Sequence, residues 1–257
     1  MAGRTAYGLL GPNDPAPFGL FNAQGRSPFL LIGDHAGCAF PAALGDMGLD
    51  AQDRGRHIAI DIGIYGLGHA LARLLDAPFL HQPYSRLVID CNRDPLHPDA
   101  IPSMSDGTWI GGNDGLDDAA RTARIAAIHN PYHRAITDLI TTRAAAGHQT
   151  ILLSLHSFTP VMAGIARPWH VGIMHWTGYV HVAVAMLAAL RSDPALTVGD
   201  NQPYAMDATD YTVPFHASAH ALPYAEIEVR QDLIGDVAGQ SSWAQRLADA
   251  ARQALPA

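Results

Sequence analysis

Four places in this 257-residue chain set chemically competent side chains at the ends of apolar runs. Asp34 and His35 follow PFLLIG (28–33); Asp90, Asn92 and Arg93 lie in and after SRLVIDCNR (85–93); His156 follows ILLSL; Glu226 and Glu228 lie within AEIEVR (225–230). In open α/β sheets, ligands bind beyond the carboxyl ends of the strands, so residues at such places are the ones to collect. His35 and His156 terminate different predicted strands. Two imidazoles and one carboxylate are a sufficient protein set for a catalytic zinc, which keeps a fourth position for water. Asp61, in HIAIDIG (57–63), is the nearest candidate for that carboxylate, and Ser154 and Ser157 could orient the His156 ring. The chain holds 14 histidines, so it is their position at strand ends that separates His35 and His156 from the rest.

Glu226 and Glu228 are two residues apart on a strand and therefore share a face, which Arg230 continues. A carboxylate beside a metal-activated water can take its proton and later return it to a leaving amine. The competing expectation is a polar face on an exposed edge strand. Arg86, Asn92 and Arg93 form a third group. An arginine fork holds a carboxylate in a planar, bidentate way that lysine does not reproduce, and a neighbouring amide adds a directional donor. These residues, with Arg230, are the candidates for gripping an anionic substrate, although Arg86 and Asp90 could simply pair along one strand face.

The elements needed to position these groups are legible as short apolar runs alternating with longer helical text, a pattern that yields a layered sheet. PFLLIG, PFLHQPY, SRLVIDCN, QTILLSLHSF and AEIEVR read as strands. QTILLSLHSF has the near-continuous apolar character of a strand covered on both faces. Apolar residues at three- and four-residue steps through Ile64, Leu67, Leu71 and Leu74 predict a helix over about 59–75, with Asp61 in its first turn near the positive end of the dipole. Further helices are expected over LDDAARTARIAAIHN, over YHRAITDLITTRAAAG with Pro131 breaking or kinking the run near Asn130, over 178–191, and over SSWAQRLADAARQAL capped by Ser241 or Ser242. Residues 95–113, dense in Pro, Gly, Ser and Asp, read as a long functional loop bordering the pocket; 199–223 also reads as loop.

Composition bounds the reading. Hydrophobic residues at 48% and charged residues at 16% describe a globular chain with ample core, expected to form one domain over residues 1–257. A net charge of -8 without a basic stripe argues against a nucleic-acid surface. The N-terminal text has no continuous apolar stretch, and the richest apolar run (179–190) is too short to cross a bilayer, so a soluble, cytoplasmic protein is expected. Cys38 and Cys91 are far apart and fit no metal or redox pattern, which predicts reduced thiols.

Seven segments in order resemble the N-formylglutamate amidohydrolase family: DHAGCAFP (34–41), HIAIDIG (57–63), YSRLVIDCNR (84–93), SLHSF (154–158), RPWHVGI (167–173), GDNQPY (199–204) and EIEVRQDLI (226–234). The resemblance implies a zinc-dependent amide hydrolase acting on an N-acylated glutamate or related acidic amino acid. It also implies a three-layer α/β/α fold with a mixed central sheet, related to zinc carboxypeptidases and aspartoacylases. By it, Arg86 would polarise the scissile carbonyl, Glu228 would shuttle the proton, and Asn92 with Arg93 would hold a substrate carboxylate. One departure concerns the His-x-x-Glu metal pair of zinc carboxypeptidases: His35 is followed here by Ala36, Gly37 and Cys38. The expected function is therefore hydrolysis of a small N-acyl amino acid with zinc on His35, Asp61 and His156. The alternatives are a catalytically silent binder of acidic amino acid derivatives, or a hydrolase of another amide such as an acyl-aspartate or a peptidoglycan stem.

Overall fold

In the computed structural model, which describes residues 8–255, the chain begins with strands β1 (Gly19–Phe21) and β2 (Phe29–Gly33), followed by helix α1 (Ile64–Leu75) and strand β3 (Phe79–His81). A two-stranded hairpin, β4 (Met104–Ser105) and β5 (Thr108–Trp109), precedes helices α2 (Asp118–Arg124) and α3 (Asn130–Ala145). Strand β6 (Ile151–Phe158) leads into a second small hairpin, β7 (Val161–Met162) and β8 (Ile165–Ala166), and then to β9 (Val171–Met174). The chain closes with α4 (His181–Arg191), β10 (Val198–Asp200), α5 (Thr212–His220), β11 (Tyr224–Arg230) and α6 (Val237–Gln253).

Seven strands form one mixed sheet in the order β1-β3-β2-β6-β11-β9-β10. β3, β2, β6 and β11 are mutually parallel, while β1 and the β9–β10 pair run the other way. The chain steps from β2 outward to β3 and then returns to the other side of β2 to form β6. The order thus reverses at the β2–β6 boundary, the crevice where open sheets bind ligands.

Period-two alternation divides the interior. Leu153 and Leu155 of β6, with Ala225, Ile227 and Val229 of β11, face α1, α4 and α6 in one core. Leu152 and Tyr224 face α3 and α5 in the other, together with Ile32 and the 84–91 segment. The result is the three-layer α/β/α arrangement with a mixed sheet that the sequence led us to expect. Ser154, His156, Glu226 and Glu228 fall on the second face.

Several local expectations are corrected. SRLVIDCN is not a strand: its backbone turns repeatedly, and buried side chains satisfy its carbonyls, Leu87 O by Asn113 and Val88 O by Arg124. Helix α1 starts at Ile64, so Asp61 lies before it; Gly63 holds φ +87° at the helix entrance, and the preceding residues follow a turn. Pro131 does not end a helix. It sits in the first turn of α3, and a π-turn (Ile125–His129) absorbs the irregularity. Within 199–223, read as loop, the chain forms α5, and α6 is capped by Asp236, five residues before Ser241. Strand β11 is interior and buried rather than an exposed edge. No helix among the described residues is long and apolar enough to cross a membrane. The expectation drawn from the first seven residues lies outside the described residues.

Candidate metal centre and cleft

His35 emerges from the end of β2 and His156 stands near the end of β6, on the two sides of the reversal point. The turn before α1 brings Asp61 between them, its backbone N–H donating to the His35 carbonyl oxygen. Asp61 Oδ2 is 3.4 Å from His35 Nδ1 and 2.9 Å from His156 Nδ1. One donor atom from each of the three buried side chains lies within 4.8 Å of the others. Bonds of about 2.0–2.2 Å to a tetrahedral ion separate its ligands by roughly 3.3–3.5 Å, so this spacing suits a single metal.

Each imidazole turns its other nitrogen to a second carboxylate. His35 Nε2 is 2.7 Å from Asp90 Oδ1, and His156 Nε2 is 3.4 Å from Asp34 Oδ2 and 3.1 Å from Ser154 Oγ. A carboxylate only accepts, so it keeps the proton on Nε2 and leaves the Nδ1 lone pair for a ligand role. Asp34 is itself fixed by the Tyr132 and Thr212 hydroxyls. Of the two flanking serines, Ser154 contacts the His156 ring, whereas the Ser157 N–H donates to Asp61 Oδ2.

Asp90 also accepts from Arg86 through Nε (3.1 Å) and Nη2 (2.6 Å), and Arg86 Nη1 lies 3.4 Å from Asp61 Oδ1. The Arg86–Asp90 pair exists, but across a turn rather than along a strand. Asn92 uses its side-chain oxygen to accept the Tyr211 and Thr212 N–H groups at the start of α5, so only its NH2 faces outward, 3.5 Å from Asp210. Arg93 Nη1 donates to the Asn92 and Thr209 carbonyls and lies 3.6 Å from Asp210. Glu226 and Glu228 stand opposite Ser154 and His156, each with an Oε2 that is buried and without a hydrogen-bond partner among the described residues.

Burial opposes every charge here, and the partners decide which survive. Burial raises the Asp90 pKa, but Arg86 and then His35 hold it well below the ordinary range; His35 and His156 do the same for Asp61. Burial lowers the His156 pKa, and Asp34 and Asp61 raise it well above the usual value. Glu226 and Glu228 are each pushed up to about 8, mainly by burial. His35, like His156, is raised against the opposing effect of burial, by Asp90 and Asp61, so the three aspartates favour positive charge on His35 and His156 beside that of Arg86. A divalent ion displacing one proton from each imidazole would preserve that charge, so the residues present fit a metal by charge as well as by spacing.

A cleft of about 860 Å³ opens over this centre, lined by His35, Asp61, His156, Arg86, Glu226 and Glu228. Asn92 and Arg93 also line it, and Met104, Ser105 and Asp106 of the 95–113 segment border it. Arg230 is placed elsewhere: it pairs with Asp232 and the Trp169 carbonyl and is not part of the lining. The sequence reading assigned no role to Asp34, Tyr132, Thr212, His57 or Tyr204. Asp34 carried a signal, its place beside His35 after an apolar run. Tyr132 and Thr212 carried none, since they reach the site only through packing of α3 and α5.

A family profile described as N-formylglutamate amidohydrolase matches residues 27–235. Among solved structures, gene product Atu2144 from Agrobacterium tumefaciens is 35% identical, with 96% of this chain and 97% of that one covered and a TM-score of 0.92. The N-formylglutamate amidohydrolase from Ralstonia eutropha JMP134 is 20% identical over 93% and 97% of the two chains, with a TM-score of 0.65, a likeness of fold. No curated protein matches the chain. The profile covers most of the sequence, and the chain belongs to the N-formylglutamate amidohydrolase family.

Proposed function

We propose that this amidohydrolase-family protein is a metal-dependent hydrolase of the N-acyl amide of glutamate or a related small acidic amino acid. The observation that carries the reading is the convergence of His35 Nδ1, Asp61 Oδ2 and His156 Nδ1, each backed by its own partners, beneath a cleft that also presents Glu228 and Arg86. Zinc held by these three residues would supply Lewis acidity toward water and the amide carbonyl.

The remaining chemistry belongs to the chain. Glu228, on the strand position opposite His156, has a proton affinity close to neutrality because it is buried, so its Oε2 can accept a proton from the attacking water and pass it to the departing nitrogen. Arg86 is clamped by Asp90 and Asp61, which fixes its guanidinium as a preorganised donor for the carbonyl oxygen as charge develops there. The Asn92 amide and Arg93 are proposed to dock a carboxylate of the amino acid.

The test is metal-stripped protein reconstituted with zinc and assayed for formate released from N-formyl-L-glutamate. His156→Ala should lose both the bound zinc and the activity; a full equivalent of zinc retained by this variant refutes its role as ligand. Binding of N-formylglutamate by zinc-loaded wild type without turnover would identify a silent binder instead.

A further inference from the structure

Two of the segments that carry the family resemblance, RPWHVGI and GDNQPY, contribute no residue to the His35–Asp61–His156 cluster, yet they meet where Tyr204 lines its cleft. Arg167, just after β8, donates through Nη1 to the Tyr204 hydroxyl (3.0 Å). Its guanidinium carbon lies 4.8 Å from the Tyr204 ring centroid and 5.9 Å from that of Phe158. Both aromatic residues line the cleft. Of the two arginines that line this cleft, Arg86 is paired with Asp90 and Asp61, and Arg93 stands 3.6 Å from Asp210 with its hydrogen bonds going to carbonyl oxygens. Arg167 forms no ion pair among the described residues, and its guanidinium donates to the Tyr204 hydroxyl.

A guanidinium that is stacked on two aromatic residues of a cleft's lining, oriented by one of them and short of an anion, is preorganised for a carboxylate, because its planar fork loses little freedom on binding. Its charge reaches into the cleft: Glu228 and His57, whose pKa values are set chiefly by burial, both feel Arg167 as well as Arg86. We propose that Arg167, laid against Tyr204 and Phe158, binds the second carboxylate of a dicarboxylic N-acyl amino acid, the first being held by Arg93. This rests on the amide-hydrolase reading of the same cleft and deepens it by assigning the residue that selects for the second carboxylate.

The experiment compares N-formyl-L-glutamate with its two mono-amides, N-formyl-L-glutamine and N-formyl-L-isoglutamine, on zinc-loaded wild type and Arg167→Met. Methionine keeps the apolar contact with Tyr204 and Phe158 but removes the fork. kcat/KM for the dicarboxylate should fall about a hundredfold, mainly through KM, as expected for loss of hydrogen bonds to a charged group. The mono-amide lacking the carboxylate that Arg167 binds should stay within about twofold of its wild-type value. Arg167→Lys should recover part of the loss, and Tyr204→Phe should lower only the dicarboxylate. Equal losses on all three compounds, or no loss, overturn the proposal.

Titration calorimetry with the same compounds separates this proposal from the hydrolase reading. If wild type binds N-formylglutamate without cleaving it, a Kd that rises in Arg167→Met for the dicarboxylate and not for one mono-amide supports the Arg167 site while refuting hydrolysis. A dicarboxylate Kd unchanged by the substitution, or no binding by wild type, overturns the site whatever the turnover.

Discussion

Asp90→Asn is the substitution that tests the centre most directly, because four donors converge on that one carboxylate. Oδ1 accepts from His35 Nε2 (2.7 Å) and the Asn92 N–H (2.8 Å), and Oδ2 accepts from Arg86 Nε and Nη2 (3.1 and 2.6 Å). Asparagine offers one accepting oxygen and one donating NH2, so either rotamer sets donors against donors on one side. Charged donors bind about twice as strongly as neutral ones, so the oxygen should turn to Arg86 and the NH2 to His35. His35 then loses the acceptor that keeps its proton on Nε2, and the tautomer with a proton on Nδ1 cannot ligate. Loss of such a partner costs about 10–100-fold in metal affinity, or roughly 1.4–2.7 kcal/mol. The measurement is the zinc Kd by competition with a chromophoric chelator, on protein shown folded by circular dichroism. At saturating zinc, most of kcat should return, because Arg86 keeps its acceptor. An unchanged Kd, with His35 still ligating, would refute the argument that Asp90 sets the histidine's proton.

Glu228→Gln should retain zinc and lower kcat by about 10²–10⁴-fold, while Glu226→Gln lowers it much less; steady-state turnover in the reverse order would assign the shuttle to Glu226. Glu226 has a folded pKa of about 8 against an ordinary 4.5, so its contribution to stability is present below about pH 4.5 and is lost as pH rises through 8. In metal-free protein, the Tm of Glu226→Gln relative to wild type should therefore increase between pH 5 and pH 8.5, and a flat difference would contradict the assignment. Arg124, buried beneath the 84–93 segment, donates to the Val88 and Gly112 carbonyls and to Asn113 Oδ1. Arg124→Met strands those acceptors and should cost about 3 kcal/mol, lowering Tm by roughly 10 °C in a scanning calorimeter.

The strands and the positions of the clustered His35, Asp61 and His156 were legible because each follows from local pattern. β2, β6 and β11 show unbroken or alternating apolar text, and a polar residue at the carboxyl end of a parallel strand has one side of the sheet to point to. SRLVIDCN carries the same apolar signal, and it misled. Its apolar residues do enter a core, but its hydrogen bonds go to Arg124 and Asn113 from remote segments rather than to a neighbouring strand, and single-sequence periodicity carries no trace of such partners. The same limit explains Arg230. Its place on the Glu226–Glu228 face was legible, but the strand ends there, and Asp232 two residues later captures the guanidinium. Helix α5 was illegible for another reason. Its capping comes from Asn92, more than a hundred residues away, in place of a local Ser, Thr or Asp cap.

The antiparallel half of the sheet explains why an amidohydrolase built on a parallel crevice has a second wall at all. Glu228 is flanked by His156 on the parallel side and by Gly172 on the antiparallel side. A Cβ at Gly172 would collide with the Gln202 carbonyl oxygen, so only glycine lets the chain after β10 lie this close to β9. That close approach carries Tyr204 over the cleft, where its hydroxyl meets Arg167. On the other side, backbone hydrogen bonds from Ala39 N–H to the Pro83 carbonyl and from Ser85 N–H to the Ala39 carbonyl tie the His35 loop to the segment bearing Arg86 and Asp90. One wall therefore fixes Arg86 against Asp61 and Asp90, and the other brings Tyr204, with Arg167 held on its hydroxyl and ring, to the opposite side. The parallel crevice supplies the centre; the two closures, made by backbone contacts and one glycine, determine which groups face it.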